Sequence, residues 1–446
     1  MDSALLAPAN MIGLDPDEPL LTAGPVLDDQ PAWAREAKLA AWEKFRSLPM
    51  PARNDEHWRF SNVKALDLAP FTAPLPVDDA VREDVLARST ALAGAAGRMV
   101  FANDQLLARD VFADTLRQKG VLWLPLEQAL AEHPELFRKH FMREEAILGG
   151  QKFAALHASQ VRAGTFLYVP RGVEINVPVE TFHWLHSAGG SCFPHTLIIA
   201  EDMAKVTLID HFESTDASAP GFACGVNDLW LGAGANVTHV CAQNWSRDTL
   251  AVHINATVVG RDASAKTLTV NLGSRHSRQE SVSHLRGPGG RSDMLSVTIA
   301  DGVQEMDQRT FQIHEVPNTA SDLLYKNALD DRARTIFSGL IRVDPGAHKT
   351  DAYQKVRNLL LSDEAEANSA PGLEIETDDV RCTHGATCGQ IDAEELFYLQ
   401  SRGIPLKDAQ RLIVYGFLEE VIDRIGQPGI AGELSGMLHA KFDAKH

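Results

Sequence analysis

Residues 378–391, DDVRCTHGATCGQI, bring Cys382, His384 and Cys388 close together in the chain. In a β-strand, positions i and i+2 leave the same face. Cys382 and His384 therefore come near enough to hold one soft metal ion or to share a proton. Thiolate and imidazole suit iron or zinc, and the thiolate is the form needed for metal binding or for sulfur transfer. Gly385 and Gly389 let the backbone bend, which leaves the direction of Cys388 open. The competing reading makes Cys382 a small buried hydrophobe and His384 a solvated edge residue.

A second candidate lies just before it. In residues 373–378, LEIETD, strand alternation puts Glu374, Glu376 and Asp378 on one face and Leu373 and Ile375 on the other. Such an acidic row suits a cation or acid–base work, and equally the solvated face of a half-buried strand. The histidines His183, His186, His195, His211, His239, His253 and His284 have no short ligand motif linking them, so surface or satisfied core roles are expected for each. Other chemistry is missing its signature. Lys349 and Thr350 follow His348 rather than a glycine, which fails the phosphate-loop pattern. Gly232 and Gly234 lack the third glycine of a dinucleotide fingerprint, and no Gly-x-Ser-x-Gly elbow occurs.

Five cysteines, Cys192, Cys224, Cys241, Cys382 and Cys388, are too few and too scattered for a disulfide framework, which fits a reducing compartment. None forms a Cys-x-x-Cys pair, so a closed local zinc site is not expected. The 446 residues are 44% hydrophobic and 23% charged, the composition of a soluble globular protein. Sixty acidic side chains against 42 basic ones give a formal charge of -18, a field that repels nucleic acid and anionic membranes. The first 21 residues carry acids but no Lys or Arg, the wrong sign for a targeting peptide, and read as a polar leader. No stretch is apolar enough for a membrane span, and a cytoplasmic location is expected.

The elements that must position these groups fall into three zones: 1–150, 151–390 and 391–446. The first is read as a helical α/β region. A helix is predicted over 31–48, stopped by Pro49 and Pro51, others over 77–92 and 126–145, the latter divided by Pro134, and short strands at 99–102 and 121–124. From about 153 to 380 the chain consists of short Val/Thr/Ile/Leu runs between turn residues. Examples are 165–169, 173–177, 196–199, 206–209, 237–240, 266–270, 295–299 and 335–343. Run starts at Ala235, Ala263, Arg291, Ala333 and Ala347 are spaced by multiples of 14, the cadence of a β-solenoid, although a sandwich also has short strands and frequent turns. After Gln390, Asp392 caps a helix that stops near Gly403. Pro405 starts a second, with Leu412, Ile413, Gly416, Phe417, Val421 and Ile425 on one face. These helices either cover an open end of the β region or dock a partner.

Three segments, AYQKVRNLLLS at 352–362, PGLEIETDDVRCTHGAT at 371–387 and ELFYLQSRGI at 395–404, resemble the SufB/SufD family of iron-sulfur cluster assembly proteins. Arg53, Glu56, Trp58 and Arg59 resemble an N-terminal pattern of the SufD branch, and Thr383 and Gly385 beside His384 resemble that branch too, since SufB proteins carry an acidic residue there. The resemblance implies a mainly β protein. Its expected core is a right-handed parallel β-helix, flanked by an N-terminal α/β region and a small C-terminal helical domain. It implies a non-catalytic scaffold that pairs with a SufB-like subunit, or with itself in a homodimer when that subunit is lacking. It also implies that a SufC-like ATPase docks through Leu396, Phe397, Leu412, Ile413, Phe417 and Val421. His384, helped by Cys382, would then contribute to a transient iron-sulfur cluster or iron at the subunit interface. Reduced flavin is implied for the whole complex, without a flavin motif here. Two alternatives remain: a β-helix enzyme acting on carbohydrate through the Glu374, Glu376, Asp378 row, and a SufB-type scaffold accepting sulfur at Cys192, Cys224 or Cys241.

Overall fold

The computed structural model describes residues 18–444 except 28, 29 and 114, so the expected leader lies almost wholly outside the described residues. The N-terminal part contains α1 (Ala32–Ser47), α2 (Asp79–Arg88), β1 (Gly97–Ala102), β2 (Gln105–Val111), α3 (Thr115–Gln118), β3 (Leu122–Pro125), α4 (Leu126–Glu132), α5 (Pro134–His140) and α6 (Gln151–Gln160). Pro134 does divide the predicted 126–145 helix, standing at the first turn of α5, where its missing N–H costs nothing. The sequence reading misses β2 and α6. Helix α6 occupies the residues where β texture was expected to begin.

The strands that follow are β4 (Gly164–Val169), β5 (Val179–Leu185), β6 (Gly190–Cys192), β7 (His195–Ala200), β8 (Lys205–Ser214), β9 (Gly221–Leu231), β10 (Asn236–Asn244) and β11 (Thr249–Val259). They continue as β12 (Ser264–Asn271), β13 (His276–Leu285), β14 (Arg291–Ala300), β15 (Glu305–His314), β16 (Ala320–Leu329), β17 (Arg334–Val343), β18 (Thr350–Leu360), β19 (Glu366–Ile375) and β20 (Val380–Gln390). The predicted strand at 173–177 is not one; only Glu174 makes an isolated bridge, and Pro178 delays the strand to Val179. Alternate strands join alternate sheets. One runs β2-β1-β5-β8-β10-β12-β14-β16-β18-β20 and the other β19-β17-β15-β13-β11-β9-β7-β4-β3, and apart from the antiparallel β1–β2 and β3–β4 pairs the neighbours are parallel. This is a parallel β-solenoid of about eight turns, with two strands per turn.

The cadence in the sequence is this turn. Asn236 pairs with Ser264, 28 residues on, and Gly221 with Thr249, also 28 on, so a spacing of 14 is one strand and its corner. The corners stack as the strands do: Gly234 N donates to Arg261 O (2.7 Å), and Asp262 N to Pro288 O (2.9 Å). Gly234 has φ +68°, the left-handed region that glycine adopts without strain.

Inward residues form rows up the lumen, because parallel register places each above its counterpart at about 4.8 Å spacing. One row reads Thr181, Asp210, Cys241, Thr269, Ser296, Tyr325, Val356; the next reads His183, Phe212, Gln243, Asn271, Thr298, Asn327, Asn358. The N-terminal end of the lumen is filled by Phe101, Leu116, Val121 and Trp123. Three C-terminal helices follow, where two were expected: α7 (Ala393–Ser401), α8 (Leu406–Asp423) and α9 (Pro428–Asp443). Helices α8 and α9 lie on the outer face of the first sheet, against Ile209, Val240, Leu268, Val297 and Leu324. They cover a wall, not the open end.

The N-terminal Arg-x-x-Glu-x-Trp-Arg segment is a latch onto the second sheet. The Arg278 guanidinium lies 3.6 Å from the Trp58 ring centroid and donates to Glu280 Oε1 (2.7 Å), Asp307 Oδ2 (2.6 Å), His57 O (3.0 Å) and Leu148 O (2.6 Å). Arg309 Nη2 holds Arg59 O at 2.7 Å. Each guanidinium nitrogen of buried Arg278 thus has a partner, and two carboxylates balance its charge, as such burial demands. Replacing Trp58 with alanine opens a cavity and bares Arg278; a loss of about 3–5 kcal/mol is expected, read as a lower thermal midpoint and faster proteolysis near residue 58. An unchanged midpoint would show that the latch contributes nothing to the fold.

Candidate functional site

Strand β20 is the last of the first sheet and β19 the last of the second, so each offers one unpaired edge at the C-terminal mouth of the solenoid. On β20, Cys382 pairs with Ala352, His384 with Gln354, Ala386 with Val356 and Cys388 with Asn358. Those four β18 residues are buried and inward. Cys382, His384 and Cys388 therefore top three lumen rows and face along the open mouth together, which settles the direction of Cys388. Gly385 and Gly389 lie in regular strand and make no bend.

Cys382 is half-buried and packs near Ile341, Val343 and Ala352; His384 and Cys388 are exposed. Burial pushes the Cys382 thiol above its ordinary 9.0, the Ala352 backbone bond opposing this and the Asp351 charge adding to it. Burial likewise raises Cys388. Neither thiol is a ready thiolate in the isolated chain. Among the described residues, the groups where three ligand atoms gather are Asp210–His239–Cys241 and Glu180–His211–Glu433; neither includes Cys382 or His384. Among the described residues, the mouth by itself therefore gathers no set of three ligand atoms.

The rim is apolar. Leu373 and Ile375 project inward from β19 and are 37% and 41% exposed, with Tyr353 also exposed on β18. Glu374 alternates outward as expected, but Glu376 and Asp378 lie beyond the end of β19, so the three-carboxylate row does not form. Strand alternation applies only while the strand lasts.

Helix α7 is capped by Asp392 Oδ1, which accepts from Glu394 N (2.7 Å) and Glu395 N (3.4 Å), and Gly403 follows it at φ +87°. The packed stripe of α8 is Val414, Leu418, Val421 and Ile422, all buried, with Ile425 buried just past its end. Of the proposed partner residues, Val421 therefore belongs to the core. Phe397 is 73% exposed and Leu412 52%, while Leu396, Ile413 and Phe417 are partly covered. The sequence face was drawn one stripe off because α8 is apolar on two adjacent stripes. An open groove of about 450 Å³ between α7 and α8 is lined by Glu394, Glu395, Tyr398, Leu399 and Ile413. Its two carboxylates make it a poor seat for a flavin phosphate.

An eight-turn parallel β-solenoid with a helix-clad wall and a thiol- and imidazole-bearing open mouth defines a class of assembly scaffold more readily than an enclosed active site. The family model for the SUF system FeS cluster assembly SufBD core domain matches residues 183–417, and that for the SufBD protein N-terminal region matches 28–181. The chain belongs to the SufBD family. It is 30% identical over 420 residues to iron-sulfur cluster assembly protein SufD of Bacillus subtilis, covering 92% of this chain and 94% of that protein. It is 28% identical over 399 residues to an iron-sulfur cluster assembly SufBD family protein of Synechocystis, covering 87% and 86%, and 26% identical over 416 residues to one of Staphylococcus epidermidis, covering 90% and 88%. No helix among the described residues is long and apolar enough to cross a membrane.

Alkylation of the isolated chain, followed residue by residue by mass spectrometry, is expected to give Cys382 a pH midpoint above 9.0, and Asp351→Asn to move it down by removing the charge that raises it. A midpoint at or below 9.0 in the unaltered chain would show that the mouth already favours the thiolate.

Proposed function

We propose that this chain is the SufD-type scaffold subunit of a SUF complex: its solenoid mouth pairs with a SufB-like subunit, and α7 with the outer stripe of α8 docks a SufC-like ATPase. The observation that carries the reading is the pair of unpaired strand edges at the mouth, with Leu373 and Ile375 exposed on β19 and Cys382 and His384 on β20. Such an edge is a template for another chain's strands, and exposed apolar side chains beside it favour a protein partner over water. A nascent iron-sulfur cluster, or iron, is the cargo held there, with the partner completing the ligands. Reduced flavin, where used, belongs to the whole complex, since this chain carries no flavin motif.

Docking on α8 gives the ATPase a handle on the wall. Lys326 of β16 is nearly wholly buried and donates to Glu420 and to Phe417 O (2.6 Å), and Arg424 Nη1 holds Asp322 Oδ2 at 2.8 Å. Strand β16 pairs β18, which pairs β20, the strand of His384. For ATP to act on the mouth, nucleotide-bound SufC must favour one arrangement of this path over another.

The sulfur-accepting alternative finds less support. Burial raises the thiols of Cys192 and Cys224 well above the ordinary value, and a protonated buried thiol is a poor nucleophile. The carbohydrate alternative loses its three-carboxylate row.

Co-expression with SufB-like and SufC-like subunits tests the two surfaces separately. Because α8 and α9 cover a sheet face, point changes are cleaner than truncation after Gln390. Leu373→Asp with Ile375→Asp is expected to abolish co-purification of the SufB-like subunit while retaining SufC; Phe397→Asp with Leu412→Asp is expected to do the reverse. His384→Ala is expected to leave pairing intact and to lower cluster assembly by at least tenfold. Retention of both partners by both double variants would overturn the docking assignments.

A further inference from the structure

Within the solenoid, away from the mouth, the lumen holds a group of a different kind from its hydroxyl and amide filling. Asp210 on β8 and Cys241 on β10 stand in register, and His239 lies two residues before Cys241 on the same inward face. All three are buried, and one oxygen of Asp210, one ring nitrogen of His239 and Sγ of Cys241 lie within 4.8 Å of one another. Asp210 Oδ2 accepts from His239 Nε2 (2.7 Å) and from Thr196 Oγ1 (2.9 Å). Its other oxygen, Oδ1, is buried with no hydrogen-bond partner, and so is Nε2 of His183, two residues beyond the β5 residue that pairs with Asp210. An orphaned carboxylate oxygen in such a place has lost its water without gaining a partner.

We propose that Asp210, His239 and Cys241 form an interior binding site for one first-row divalent transition-metal ion of the zinc, cobalt or iron(II) type. The donors fit. The metal takes the place of the proton between His239 Nε2 and Asp210 Oδ2, so that Nε2 and the carboxylate both face it and Nδ1 keeps the ring hydrogen. Cys241 Sγ is 3.8 Å from that Nε2. Metal–ligand lengths of about 2.0–2.3 Å require tetrahedral edges of about 3.3–3.8 Å, so a small rotation of these side chains opens the Asp210–His239 contact and closes the site. The Asp210 carboxylate supplies the third ligand, its unpartnered Oδ1 being free to turn to the ion. The fourth position goes to water, since cavities of about 20 Å³ touch Cys241 on two sides, one bordered by His253 and Gln243 and the other by His239 and Asn255; about one water fits each.

Charge is balanced as well. A divalent ion with one carboxylate, one thiolate and one neutral imidazole is neutral overall, the condition for a charged group in a closed lumen. Binding forms the sulfur–metal bond as the S–H bond breaks, the proton passing to water, and no electron changes hands. Thiolate and imidazole exclude magnesium and calcium, which take oxygen ligands. The site is independent of the mouth and of any partner.

The full chain, expressed in cobalt-supplemented minimal medium, is the test. Expected are about one cobalt per chain, a thiolate-to-cobalt charge-transfer band in the near ultraviolet and the intense visible bands of a tetrahedral ion. Cys241→Ser should abolish the charge-transfer band, Asp210→Asn should lower metal content at least tenfold, and Cys382→Ser with Cys388→Ser should change neither. If Cys241→Ser does not fold, X-ray absorption of the unaltered zinc-loaded chain decides: one sulfur among about four ligands supports the site, and an all-nitrogen/oxygen shell refutes it. Folded unaltered chain with less than a tenth of a metal per molecule, a band that survives Cys241→Ser, or one lost with Cys382 and Cys388 would each overturn the proposal.

Discussion

A parallel strand satisfies its backbone N–H and C=O groups only where a neighbour lies on each side, and this constraint organises the whole chain. Each turn of the solenoid supplies the next one's partner, so the structure is self-supporting everywhere except at its ends. At the N-terminal end β2 and β3 run antiparallel to their neighbours, and Phe101, Leu116 and Trp123 plug the lumen. At the C-terminal end no such plug is built among the described residues. The lumen rows simply stop at Cys382, His384, Ala386 and Cys388 on one side and at Leu373 and Ile375 on the other. An end left with bare edges and apolar lining, in a chain that closes its opposite end so fully, is where association is least costly.

The same stacking explains how so polar a lumen is tolerated. Amides and hydroxyls that recur in register answer one another along and across the rows. Asn327 Nδ2 donates to Asn358 Oδ1 (2.8 Å), Gln308 Nε2 to Thr298 Oγ1 (3.1 Å) and Gln312 Nε2 to Ser321 Oγ (2.7 Å). Since the two facing sheets are both fixed by backbone pairing, these partners arrive already placed, with little side-chain entropy left to lose. That satisfaction is incomplete, since Oε1 of Gln279, Gln308, Gln312 and Gln354 has no partner; Asp210, His239 and Cys241 differ in bringing ionisable groups into the filling, with Asp210 Oδ1 and His183 Nε2 beside them also unanswered.

Much of this was legible in the sequence where one element decides its own structure. Pro31 and Pro134 mark helix starts, Asp392 a cap, and the 14-residue cadence the half-turn of a solenoid. Local readings failed where the outcome depends on what lies opposite. The run at 173–177 has strand composition, yet only Glu174 pairs. The outward stripe of α8 was taken for its face because both stripes are apolar, and only the sheet beneath decides which is buried. The lumen histidines looked unlinked because no short motif joins them. Their partners are one turn away: Asp210 and Cys241 are 31 residues apart and in direct register. Comparing residues at one-turn separations, once the cadence was seen, would have found that group.

The wall and the mouth are joined by more than proximity. Lys326 lies beneath α8 with its ammonium held by Glu420 and the Phe417 carbonyl, and the Phe417 ring sits 4.6 Å from the nitrogen. Lifting α8 away from the sheet would break both of those hydrogen bonds and open the apolar face beside them to water. Lys326 and Arg424 thus tie the helix to β16, which pairs with β18, which in turn pairs with β20. Of the strands along that path, β20 alone has a free edge, so displacement meets least resistance there, at the strand that carries Cys382 and His384. The run of paired strands that starts at the helix-clad wall therefore ends at the open mouth.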